Sequence, residues 1–303
     1  MRPYLFKIGG FELRIYSLMY ILAFLFGMFI CLADDVAEKR GVDDRKTIED
    51  FTFSTIVAGL IGARLYYVIF KFPDYAGDPL SIFYIWQGGL AIHGGIIGAF
   101  VGACLFARKS KVNLWVLTDM GVGPLLFGQF LGRFGNLANG EVHGVPTFTP
   151  WNVIFSGKFS EWWAKYQALG VAEQAQFKQL VPWGLTFPLD TPAGSEFPNL
   201  PLHPAMLYEG ALNLIGFLIL WFYFRKKEYN PGVLSMIYLI IYAIIRTFVS
   251  TFRAEDLLIF GIRLPYIISI IMIIIGIVGI KYFSRPERKF VPAEKENSEN
   301  NKN

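Results

Sequence analysis

The chain of 303 residues is 54% hydrophobic and 17% aromatic, carries 17% charged residues and has a mean hydropathy of +0.42. That excludes an ordinary soluble domain, in which about 25% of residues are charged. The formal net charge of +4 is spread over short loops between apolar runs, a pattern that sets membrane topology and meets anionic lipid rather than nucleic acid.

A bilayer core about 30 Å thick needs about 20 mostly apolar residues per helix. Hydropathy and its breakers therefore predict an all-α, polytopic bundle of seven transmembrane helices, over residues 15–33, 50–71, 87–107, 115–134, 205–224, 232–252 and 264–283. The first run, YSLMYILAFLFGMFICLA, is long for the apolar core of a signal peptide and lacks a small-x-small cleavage pattern, so it reads as a retained helix. Cys31 and Cys104 lie inside apolar runs with no partner at ligand spacing, so neither a disulfide nor a metal site is expected.

With seven spans, the basic stretches EKRGVDDRK, ARKSKV, FRKKEY and KYFSRPERK fall on one side, predicting the N-terminus outside and the C-terminus in the cytoplasm. Residues 140–204, with Trp151, Trp162, Trp163 and Trp183, then form a small extracytoplasmic cap whose aromatics favour the water–lipid boundary. Residues 1–285 read as one transmembrane domain containing that cap, and 286–303 have the composition of a disordered tail. No internal repeat is evident, which weighs against an inverted-repeat transporter.

In the third span, Gly94, Gly98 and Gly102 recur every four residues on one helical face, and Gly128 and Gly132 repeat the theme in the fourth. Small residues so spaced let membrane helices approach closely. His93, opening the third span, is either a satisfied interface residue or a functional one. Ionisable residues inside spans cost about 2.5–3.5 kcal/mol each and mark cavities or polar partners. Arg64, Arg133 and Arg246 are such residues, and Arg133 and Arg253 lie near enough to span ends to snorkel. Two nearby carboxylates, Glu141 and Glu209, cannot neutralise them all, so an anionic ligand is expected; a phosphate suits the bidentate guanidinium.

The block GRFGNLANGEVHG adds Asn136, Asn139, Glu141 and His143 to Arg133, with glycines between them. Glycines permit backbone bends, and non-helical backbone at membrane depth needs protein or a water-filled cavity over it. The block therefore reads as a glycine-broken helix end lining a site.

GRFGNLANGEVHG resembles the signature of the bacterial prolipoprotein diacylglyceryl transferases, Gly-Arg-x-x-Asn-x-x-Asn-x-Glu-x-x-Gly, matched by Gly132, Arg133, Asn136, Asn139, Glu141 and Gly144. The resemblance extends, in order, to RIYSLMYIL around Tyr16, GARLYYVIF around Arg64, AIHGGIIG around His93, LHPAMLYEG with His203, Tyr208 and Glu209, and YAIIRTFVSTFR with Tyr242, Arg246 and Arg253. It implies transfer of the diacylglyceryl group of phosphatidylglycerol to the lipobox cysteine of prolipoprotein signal peptides, in the bacterial inner membrane, with the site toward the outer leaflet.

The resemblance further implies that a thioether forms and glycerol phosphate leaves, with no metal or soluble cofactor required. Within that reading His93, Arg133, Arg246 and Glu141 are the catalytic candidates. Arg133, Asn136, Asn139, Gly144, Tyr16, Arg64, Tyr242, Arg253, His203 and Glu209 are those that bind substrate. Either His93 takes the thiol proton or the arginines lower the thiol pKa unaided. The chain departs from the family at Ser250, where glutamate is common, and at IRLPYIISI, which lacks a Ser-Gln pair. A lipid or anion transporter using the same arginines and a catalytically silent lipoprotein-binding relative are the competing readings.

Overall fold

The computed structural model describes residues 4–8, 11–33, 42, 45–75, 77–84, 89–254 and 257–286. The expected tail beyond Pro286 and most of the EKRGVDDRK loop lie outside these residues.

Among the described residues, seven helices are long and apolar enough to cross a membrane. They are α1 (Ile15–Leu32), α2 (Arg45–Phe70), α3 (Ile92–Ser110), α4 (Leu114–Asn139), α9 (Ala205–Ile219, extended by a π-turn to Phe224), α10 (Val233–Phe252) and α11 (Leu264–Phe283). Four short helices build the cap: α5 (Trp151–Ser156), α6 (Phe159–Gln167), α7 (Val171–Gln174) and α8 (Pro192–Glu196). Two antiparallel hairpins complete the fold, β1 (Tyr4–Ile8) with β2 (Phe11–Arg14) and β3 (Leu258–Ile259) with β4 (Ile262–Arg263). Outward-facing Phe100, Leu105, Ile244, Phe248, Ile270 and Ile274 are exposed, as expected where lipid is the solvent.

The chain divides into two compact units. The first comprises Met1–Gly27, Val122–Tyr229 and Val233–Arg285, and the second includes Met28–Gly121 and Asn230–Gly232.

In the second unit, the expected glycine face of α3 is found, and its partner is α2. A Cβ on Gly98 would stand 2.3 Å from the Ala58 carbonyl oxygen and 2.9 Å from Gly62 Cα, and one on Gly94 2.2 Å from Tyr66 Cβ. Backbones this close exchange dispersion contacts that a larger residue would forbid. Below this seam Cys31, Val42, Ile48, Val116 and Met120 form a small apolar cluster.

In the first unit, α1 descends along α4: the Tyr16 ring covers Gly135, Ala23 packs on Gly128 and Gly27 meets Pro124. Gly132, expected to share this packing, has open space where a side chain would be. The cap core is formed by Val145, Ile154, Phe159, Phe187, Phe197, Leu202 and Met206, with Trp162 and Trp163 against it. Trp151 and Trp183 are exposed at the cap surface. Two of the four tryptophans expected at the boundary therefore serve the cap interior, where their rings contact Phe159, Tyr166 and Phe197.

Candidate functional site

Of the glycines in the signature block, Gly140 breaks the helix as expected and Gly132 and Gly135 do not. Helix α4 continues through Gly132 and Gly135 to Asn139, and the chain turns only at Gly140, with φ of +65°, followed by Val142 at +61°. A membrane helix tolerates glycines where a neighbour packs on them, as Tyr16 does on Gly135. Helical spacing then sets Arg133, Asn136 and Asn139 on adjacent turns, and the Gly140 turn folds Glu141 back beneath them, its N–H donating to the Asn136 carbonyl at 2.9 Å.

The resulting polar cluster is continuous. Arg133 donates through Nη1 to Asn136 Oδ1 at 2.9 Å and through Nη2 to Glu209 Oε1 at 2.7 Å. Asn136 and Asn139 each donate an amide N–H to a different Glu141 oxygen, both at 3.3 Å. Arg246 Nη1, from α10, stands 3.9 Å from the second oxygen of Glu209. Glu209 is 1% exposed, whereas the Arg133 and Arg246 side chains each keep 20% of their surface accessible. Two guanidinium groups thus lean on one buried carboxylate, while Glu141 is linked to Arg133 through Asn136.

Other expected residues are placed around this cluster. The Tyr16 hydroxyl lies 2.9 Å from that of Tyr20. Tyr242 and Arg246 line a cleft of about 260 Å³ between α10 and α11, whose other walls include Leu257, Leu264, Ser269 and Met272. Gly144 is enclosed: its N–H donates to the His203 carbonyl at 2.8 Å, and a Cβ there would stand 2.7 Å from His203 Cβ and from the Phe252 carbonyl oxygen. The Gly144 backbone also bridges to Arg253. These contacts leave no room for a ligand on Gly144 itself, which fixes how the signature block meets the end of α10.

His203 is 1% exposed, and its Nδ1 is 3.1 Å from the Tyr208 hydroxyl, which accepts a hydrogen bond from Trp183 Nε1 at 2.7 Å. Burial lowers its pKa to about 4, so the ring is neutral at physiological pH.

Arg64 and His93 belong to the second unit. Arg64 is 7% exposed and donates to three backbone carbonyls, of Ile82 at 2.7 Å, Gly89 at 3.0 Å and Ser81 at 2.6 Å, with its guanidinium also over the Tyr75 ring. The carbonyl dipoles of Ser81, Ile82 and Gly89 satisfy these donors. His93 is exposed on the first turn of α3, with its ring 6.0 Å from that of Tyr66.

Comparison with known proteins bears directly on this arrangement. The family model described as prolipoprotein diacylglyceryl transferase matches residues 3–282. A phosphatidylglycerol–prolipoprotein diacylglyceryl transferase of Fusobacterium nucleatum subsp. nucleatum is 51% identical over 284 residues, covering 93% of this chain and 98% of the relative. Relatives of the same name from Synechococcus elongatus and Thermotoga maritima are each 32% identical, covering 92% and 95% of this chain and 86% and 87% of the relatives. The chain belongs to the prolipoprotein diacylglyceryl transferase family.

This member of the transferase family is thus a multi-pass membrane enzyme. Its structure also reveals polar groups that motif reading passed over. Asn213 on α9 is completely buried, Gln129 on α4 donates to the Tyr238 hydroxyl at 3.1 Å, and Arg263 donates to the Ser250 and Arg253 carbonyls. An amide within the apolar run LNLIGF was the available sequence signal for Asn213. Arg263 donates to the backbone carbonyl of Ser250, the position where the resemblance led a glutamate to be expected.

Proposed function

We propose that the chain transfers the diacylglyceryl group of phosphatidylglycerol to the lipobox cysteine of a prolipoprotein, at a site built on Arg133 and Arg246. In this reaction the cysteine sulfur attacks the glycerol carbon that carries the phosphate. A C–S bond forms as the C–O bond to phosphate breaks, glycerol phosphate leaves, and the thiol proton passes to a base. The observation that carries the reading is the pair of partly accessible arginines that share the buried Glu209, whose planar donors suit a phosphate diester.

The charge logic favours the transition state. A diester monoanion becomes a monoester that carries a second negative charge as the C–O bond breaks, so fixed guanidinium groups bind the departing phosphate more strongly than the ground state. Asn136, Asn139 and Glu141 present hydrogen-bonding groups suited to the headgroup glycerol hydroxyls. Tyr16 and Tyr242 border the lipid, and the largely apolar cleft beside Tyr242 suits part of an acyl chain. His93 is the proposed proton acceptor. Arg64 holds the backbone at Ser81, Ile82 and Gly89, Gly144 and His203 position the signature block, and Arg253 supports it at the end of α10.

We place the site toward the outer leaflet of a bacterial inner membrane. Alternation of the seven helices puts Arg108, Lys109 and Lys111 on the same side as Arg225, Lys226 and Lys227, and basic loops stay inside. The test is purified protein with phosphatidylglycerol and a lipobox peptide. Release of glycerol phosphate with the matching mass gain on the cysteine is expected; absence of both with folded protein overturns the reading.

A further inference from the structure

One turn of helix inward from the arginine layer lies a second polar layer that the reaction as derived does not use. On α4, Gln129 precedes Arg133 by four residues, and on α9, Asn213 follows Glu209 by four. Such pairs stack on one helical face about 5.4 Å apart. The register of the two helices brings these inner members to one level. A Cβ on Gly210 would meet Arg133 Cβ at 3.3 Å and Phe130 at 3.8 Å, and one on Gly216 would meet Leu126 at 3.7 Å. Asn213, midway between those glycines, falls level with Gln129, midway between Leu126 and Arg133.

Among the described residues, Asn213 is fully buried with neither its Nδ2 nor its Oδ1 hydrogen-bonded, and Gln129 Oε1 is likewise buried without a partner. A buried amide with both ends unmet is costly, and the great majority of buried polar atoms find a partner. Leucine would fill the Asn213 position at no such cost. The Gln129 amide keeps Tyr238 in either orientation, because a phenol both donates and accepts, so a half-turn makes its N–H the unmet group in place of its oxygen.

We propose that Asn213 and Gln129 form a subsite for the ester carbonyls of the lipid, donating N–H bonds to them. This rests on phosphatidylglycerol being the donor. With its phosphate between Arg133 and Arg246, the ester carbonyls follow a few bonds further along the lipid, the distance of about one helical turn that separates the two layers. Ester carbonyls accept hydrogen bonds, whereas the ether oxygens of a dialkyl lipid are weaker and differently placed acceptors. The inner layer therefore distinguishes diacyl from dialkyl phosphatidylglycerol, and the outer layer holds the phosphate common to both.

The experiment compares transfer from diacyl and dialkyl phosphatidylglycerol by the wild-type protein, by N213L and by Q129M, in detergent, with thermal unfolding as the check on folding. The wild type is expected to favour the diacyl lipid by about five- to tenfold in kcat/KM, the effect of a hydrogen bond or two. N213L is expected to lose most of that ratio while unfolding at the same or a higher temperature, since it deletes an unmet amide. Equal use of both lipids by the wild type, or an unchanged ratio in folded N213L and Q129M, overturns the subsite while leaving the transferase reading intact. If N213L does not fold, the wild-type ratio and Q129M decide. Failure of the wild type to use either lipid would instead refute the reading on which the subsite depends.

Discussion

Arg133 and Arg246 show how a single residue's setting determines its chemistry. Arg64 carries the same charge inside the same kind of helix, yet three backbone carbonyls absorb its donors, whereas Arg133 and Arg246 divide one carboxylate. Arg133→Ala is expected to lower kcat by about 10²- to 10³-fold, as removal of one donor to a developing anion does. Arg133→Lys should recover only part of that, because an ammonium keeps the charge without the planar fork; steady-state assays of the two variants check both outcomes.

His203 yields a pH prediction. Its folded pKa of about 4 lies below the ordinary 6.5, so on acidification the unfolded chain takes up the proton first. The stability from burying the neutral ring is complete above about pH 6.5 and is lost as pH falls toward 4, amounting to about 3 kcal/mol. Unfolding of wild type and His203→Gln between pH 4 and 8 measures it, and the variant's curve should be the flatter of the two.

At the scale of elements, the seven spans were legible because each must supply about 20 apolar residues. The glycine face of α3 was legible from its four-residue repeat. Gly98→Leu is expected to prevent stable pairing of α2 with α3, since its first side-chain carbon would stand 2.3 Å from a backbone carbonyl oxygen. Gly95→Ala, whose Cβ would have 3.6 Å to its nearest neighbour, should unfold within a few degrees of wild type in detergent. The course of the signature block was only partly legible: a glycine, Gly140, does end the helix, but Gly132 and Gly135 lie within it, Gly135 as a seat for Tyr16. Nor could local pattern reveal that Glu209 serves both Arg133, 76 residues away, and Arg246, because that pairing exists only once α4, α9 and α10 have packed.

For the whole molecule, an amphiphilic lipid is proposed to lie in a helical bundle with its phosphate at Arg133 and Arg246. Topology is the first check. With Cys31 and Cys104 replaced, a cysteine at Lys178 in the cap should react with an impermeant maleimide from outside the cell, and one at Lys111 only after the membrane is opened. The family resemblance supplied the substrate, and the structure supplied the pairing of Arg133 and Arg246 on Glu209 from which the phosphate site is proposed. An experimental structure with bound phosphatidylglycerol, lacking the peptide so that no turnover occurs, tests this most directly. The phosphate should lie between Arg133 and Arg246 at charge-assisted hydrogen-bond distances of about 2.7–2.9 Å. A phosphate bound elsewhere, with neither arginine in contact with it, would contradict this placement.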